Sequence, residues 1–236
     1  MITIKELKKK QSIINEKVML LKDNVTGATA KVDGIVDIEE YLNASLRIMW
    51  VLKEVNSPND DGDWNMIDEL TRWSKDLIPS DFRKTFDNIL YTTNGILTET
   101  QWENQPDQDG KDGAAITRQL LKIAYCNVKK VPGSSSTNMN ALRTYYQNSD
   151  KHIVQQINEF EPQVIIFGGT YDILEPDLDV AHFSDGGDHR LGIYTTSKQI
   201  ILNAYHPQNR SMTREDYCNS IINAVLDWKK NSRSHD

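Results

Sequence analysis

The sequence predicts an α/β fold, a three-layer α/β/α sandwich around a four-stranded, mostly parallel sheet. Three short runs, Arg47–Leu52, Gln163–Phe167 and Lys198–Ala204, are apolar enough for strands buried on both faces. A fourth run, Ile123–Val128, has the same length and character. Segments of helical periodicity separate the runs, as the crossovers of a parallel sheet require. One domain over residues 1–236 is expected, with an N-terminal helical extension over about 1–40.

Residues 5–22 read as the first helix, because Leu7, Ile14, Val18 and Leu21 recur at helical spacing among charged residues. Such a basic arm could touch DNA or a membrane; packing on its own domain is the expected use. Residues 23–34 read as loop. Asp37 is placed to cap a short helix, with Glu40 three positions on as its capping-box partner. The strand at 47–52 follows. Residues 57–63 then form a polar loop, whose Asp60, Asp61 and Asp63 lack the register of a calcium loop. Met66, Ile67, Leu70, Trp73 and Leu77 mark one helix, and Phe82, Phe86, Ile89, Leu90 and Leu97 another. Pro79 divides them, and Ser80 or Asp81 is the expected cap. Residues 99–113 are a surface loop, 114–122 a helix and 123–128 a strand. Residues 134–140 form a small-residue loop. A helix from Asn148 or Ser149 to Phe160 stops at Pro162, before the strand that ends in Gly168-Gly169. Residues 171–190 form an acidic excursion, and Leu191–Thr195 a short strand before the run at 198–204. Thr213 and Asp216 begin a last helix with an apolar stripe at Tyr217, Ile221, Val225 and Trp228. A frayed tail from Lys229 ends the chain.

A net charge of −7 provides no global field for a polyanion, which argues against strong nonspecific nucleic-acid binding. A local basic patch is still compatible with it. Cys126 and Cys218 lack metal-ligand spacing and read as buried, reduced thiols. The N-terminus has no apolar secretory core, and no run is long enough to span a bilayer, so a cytoplasmic protein without membrane contact is expected. No cofactor is implied.

Phosphate-binding glycine loops, dinucleotide fingerprints, nucleophile elbows and zinc-protease motifs are absent. Gly168-Gly169-Thr170 could present amides to an anion or simply form a tight turn. Three polar clusters stand just past strand ends: Glu54 with Asn56, Asn127 with Lys129 and Lys130, and His206 with Asn209 and Arg210. In a parallel sheet all three would open on one edge, where α/β proteins place their sites. A carboxylate there can orient water, a carboxamide can pair with both donor and acceptor of a base edge, and an imidazole can stabilise an oxygen gaining negative charge.

These segments resemble the uracil-DNA glycosylase superfamily. Trp50–Asn56 is similar to the motif after its first core strand, and Ile123–Pro132 to the strand carrying its base-reading asparagine. Ile157–Gly169 resembles its helix, proline, apolar strand and glycine, and Ile201–Gln208 its strand and His-Pro-Ser motif. The likeness spans roughly residues 45–230. It implies hydrolysis of a base–sugar bond in DNA, of uracil or another damaged base. Glu54 or Asn56 would position water, Asn127 would read the base and His206 would stabilise the departing pyrimidine. Trp64 and Tyr171 are the aromatic candidates for stacking, with Gly168 and Gly169 beside the base. Lys129, Lys130, Asn209 and Arg210 would meet the DNA backbone. The first motif lacks the family's glycine and Asp-Pro or Asn-Pro, and Gln208 replaces the serine. Two other functions fit the same residues: a module that binds a nucleotide, base or DNA without cleavage, and an interaction protein with a degenerate cleft.

Overall fold

The computed structural model describes residues 2–23, 27–56, 64–133, 137–178, 182–185, 190–195 and 198–233, with only the backbone given for 56, 182–185 and 233. Its helices and strands follow in chain order: α1 (Ile4–Met19), β1 (Gly34–Ile35), α2 (Ile38–Asn43), β2 (Ile48–Asn56), α3 (Met66–Trp73), α4 (Arg83–Thr98), α5 (Gly113–Thr117), β3 (Ile123–Gly133), α6 (Met139–Gln147), α7 (His152–Phe160), β4 (Val164–Gly168), α8 (Tyr171–Leu174), β5 (His182–Asp185), β6 (Gly192–Thr195), β7 (Ile200–Ala204) and α9 (Arg214–Arg233). The result is a mixed α/β fold with a multi-stranded sheet flanked by helices.

The sheet corrects the expectation of four strands. Seven strands pair in the order β1-β3-β2-β4-β7-β6-β5 among the described residues. The four expected runs form its parallel centre, β3-β2-β4-β7. Antiparallel strands extend it on both sides: β1 beyond β3, and β6 then β5 beyond β7. β1 is two residues long and lies at the end of a segment read as loop, too short to leave a periodic signal.

Alternation along the strands divides the apolar residues between two cores. Ile48, Trp50, Leu52, Ile123, Tyr125, Ile166 and Leu202 face α3, α4 and α9. Met49, Val51, Ala124, Cys126, Ile165, Phe167 and Ile201 face α1, α6 and α7. The N-terminal helix is thus part of the second core, where Leu7, Ile14 and Val18 are buried, while Gln11 donates to and accepts from the Ile35 backbone. Asp37 caps α2 as expected, accepting from the Glu39 and Glu40 amides. Neither Ser80 nor Asp81 caps α4, which begins from a turn at Phe82 with no side-chain cap. The helix expected from 148 to 160 begins at His152, after Lys151 with φ 49°, and a separate helix, α6, that was not expected precedes it. No helix is long and apolar enough to cross a membrane among the described residues.

Candidate functional site

A cleft of about 480 Å³ opens where the parallel strands end, bounded by Leu52, Lys53 and Glu54 of β2, Tyr125 of β3, and His206, Gln208 and Asn209 beyond β7. Trp64, Phe82 and Phe86 supply its aromatic walls. Phe86 stacks on Tyr125 at 5.4 Å between ring centroids, and Phe82 is 44% exposed beside them. Of the residues expected at a site, the cleft therefore gathers Glu54, Trp64, His206 and Asn209.

Asn127 belongs to the same sheet face. It lies two residues beyond Tyr125 and directly opposite Leu52, both of which line the cleft. Its backbone amide donates to Asp33 Oδ2 at 2.8 Å, fixing the strand. Its side chain is completely buried and is not part of the cleft lining, and neither Oδ1 nor Nδ2 makes a hydrogen bond of good geometry. Burial pushes the Tyr125 phenol far above its ordinary range, with Asp33 adding to the rise and side-chain hydrogen bonding with Asn127 opposing it.

The strand-end turns hold the remaining groups. At the β2–β3 edge, Glu54 is opposite Lys129, and their carboxylate and ammonium meet at 3.3 Å. The register then slips, and Gly133 crosses so close to Glu54 that an added Cβ would fall 2.2 Å from its carboxyl carbon. Asn56 pairs with Gly133, but its side chain lies outside the described residues. His206 is half-buried. Its Nδ1 accepts the Gln208 amide at 3.1 Å, which leaves the proton of the neutral ring on Nε2 as a donor. Burial, with nearby Lys53 adding repulsion, lowers its pKa to about 4. The turn after β7 is anchored by Asn88, which donates to the Pro207 carbonyl, and by Tyr217, which donates to the Tyr205 carbonyl at 3.0 Å.

Gly168 and Gly169 make a tight turn rather than an anion cradle. Gly169 has φ +70°, and its N–H donates to the Ala204 carbonyl at 2.8 Å, so it is not offered to a ligand. A Cβ at Gly168 would meet Leu52 at 2.3 Å and Pro207 at 3.0 Å. The two glycines thus let the histidine turn settle onto β2.

Two expected site residues lie elsewhere. Tyr171 is packed in the second core, edge-on to Phe167 and stacked on Tyr194, on the opposite face from the cleft. Lys130 also points to that face, since side chains alternate along β3; it is 1% exposed and donates to Asp33 at 2.7 Å and Gln156 at 2.6 Å. Neither can stack on a base in the cleft or meet a phosphate. Lys129 turns to Glu54, Asn209 Oδ1 accepts the Ser211 amide, and Arg210 is exposed beside it, so the four expected backbone contacts do not form one track. Sequence reasoning missed Lys53, Phe82, Phe86 and Tyr125 as cleft residues. Tyr125 was within reach, because it shares a period-2 face with Asn127; the two phenylalanines repeat at helical spacing and looked like core.

Among the described residues, no group of three or more His, Cys, Asp or Glu side chains is arranged to hold a metal ion. Asp60, Asp61 and Asp63 lie outside those residues. Both cysteines are free and buried. No family model matches this sequence, and no curated protein matches it.

Proposed function

We propose that the cleft receives a base flipped out of DNA and hydrolyses its bond to the sugar, in a uracil-DNA glycosylase-like sandwich. The observation that carries this reading is the Asn127 carboxamide. Its Oδ1 and Nδ2 are buried without a well-formed hydrogen bond, at a cost of roughly 1–3 kcal/mol each, so a base edge that reached them would satisfy both. A uracil edge presents that complementary pair. The aromatic walls, Trp64 and Phe82 in particular, suit the faces of a planar ring. His206, neutral with its Nε2 proton free to donate, suits an oxygen that becomes negative as the base departs. Glu54 would orient water or offset the positive charge developing on the sugar. Substrate DNA would supply the partner, with Asn209, Arg210 and Lys129 nearest its backbone.

Release of free base from single-stranded oligonucleotides tests this. Wild type should release uracil or another damaged base, and Glu54→Gln and His206→Ala should each lower turnover about 10²-fold or more without loss of folding. Unchanged turnover in both variants would remove the assignment. One observation favours a second reading. Because the Glu54 charge is tied up by Lys129, the cleft could hold a base without cleaving it. Tight binding of a free base or nucleotide, with no product from any damaged oligonucleotide, would select that reading.

A further inference from the structure

The cleft face of β3 carries Tyr125, Asn127 and Lys129 in succession, ~6.6 Å apart along the strand. Tyr125 lies against the aromatic wall, and Asn127, buried beside Leu52, has a carboxamide without a well-formed hydrogen bond. One step further out, the Lys129 ammonium meets Glu54, which lines the cleft. A pyrimidine read by its edge at Asn127 would have the carbon that bears it displaced outward by about one such step. The amine and the carboxylate would then stand level with C1′ of the sugar. Lys129 differs in this from its neighbour. Lys130 is sealed from solvent on the other face by Asp33 and Gln156, whereas the Lys129 side chain is 19% exposed.

Resting on the base-handling reading, we propose that Lys129 attacks the abasic sugar left in DNA and that the protein also nicks the strand as a lyase. The substrate class is an aldehydic abasic deoxyribose with a 3′-phosphate. The Lys129 ammonium passes one proton to Glu54, and the freed Nζ lone pair forms a bond to C1′. The aldehyde oxygen leaves as water, taking the proton back from Glu54 and a second from Nζ, and a protonated imine remains. Glu54, again a carboxylate, removes a proton from C2′. The electron pair of that C–H bond becomes the C2′–C3′ double bond as the 3′-phosphate departs. Water hydrolyses the imine, which frees Lys129 and leaves an unsaturated aldehyde on the upstream strand. No oxidant, reductant or metal enters the balance.

The test uses the full chain and an oligonucleotide whose abasic site has been made beforehand, so it does not depend on base release. Sodium cyanoborohydride reduces an imine to a stable C–N bond, and peptide mapping locates it. A one-to-one adduct at Lys129, absent in Lys129→Ala, is the expected result, with strand nicking when the reductant is left out. No adduct on the preformed abasic strand, or an adduct at the N-terminal amine or another lysine, would overturn the proposal. Mapping on the wild-type protein decides the matter even if the variant does not fold. Uracil release is measured separately. An adduct without base release keeps the lyase and removes the glycosylase, whereas base release without an adduct does the opposite.

Discussion

Asn127 sets function against stability within one side chain. Replacing it by leucine removes two unsatisfied buried atoms and keeps a similar volume, beside Leu52. Asn127→Leu should therefore be neutral or stabilising, by up to about 1–3 kcal/mol in denaturant unfolding, while base release is lost. A large loss of stability would mean that the amide has a structural partner. His206 gives a prediction in pH. Its folded pKa, about 4, lies below the ordinary 6.5, so the unfolded chain takes up the proton first. Stability should be intact above pH 6.5 and fall as pH drops from there towards 4. Buried His152, whose pKa is also lowered, by burial first and by Lys130 second, adds to the same slope. The fall between pH 7 and 4.5 should be shallower in His206→Gln, and base release should show no acid limb near 6.5. These residues were legible to different degrees. The strand-end positions of Glu54, Asn127 and His206 could be read because their strands are apolar on both faces. The burial of Lys130 could not, because it depends on Asp33 and Gln156, which are distant in the chain.

At the level of elements, the site is built where two strand ends pass so close to a neighbour that they need glycine. Gly168→Ala would drive a methyl into Leu52 and Pro207, and Gly133→Ala would drive one into the Glu54 carboxyl. Each should cost about 1–3 kcal/mol in thermal or denaturant unfolding. Each should also slow base release by displacing His206 or Glu54, respectively. Normal stability and normal turnover in both would mean that these close approaches do not position the site. The parallel strands and most helices were readable because their apolar spacing is regular. α6 was missed: Asn138 caps it, but it buries only Leu142 and Tyr146, too thin a stripe to separate it from the loop before it. The start of α4 was misplaced because its first turn rests on a Pro79 carbonyl rather than on a side-chain cap.

Across the whole molecule, the sheet separates two kinds of polar burial. On the cleft face, the buried Asn127 carboxamide is left without a well-formed hydrogen bond. On the other, Asp33, Lys130 and Gln156 satisfy one another and clamp the β3 backbone at Asn127. Breaking this buried ion pair from one side, by Lys130→Met, should cost about 3–5 kcal/mol because it leaves the buried Asp33 carboxylate without a counter-ion. A cost below 1 kcal/mol in denaturant unfolding would show that the pair contributes little to the fold. The net charge of −7 requires any DNA affinity to come from a local cluster of basic groups rather than from a general field. What most directly tests the base-handling cleft is free-base release from oligonucleotides carrying single deaminated or alkylated bases, run with wild type and Asn127→Leu side by side. The account predicts product from wild type and none from a variant that is folded and at least as stable. No product from wild type on any of these substrates, or full release by Asn127→Leu, would contradict it.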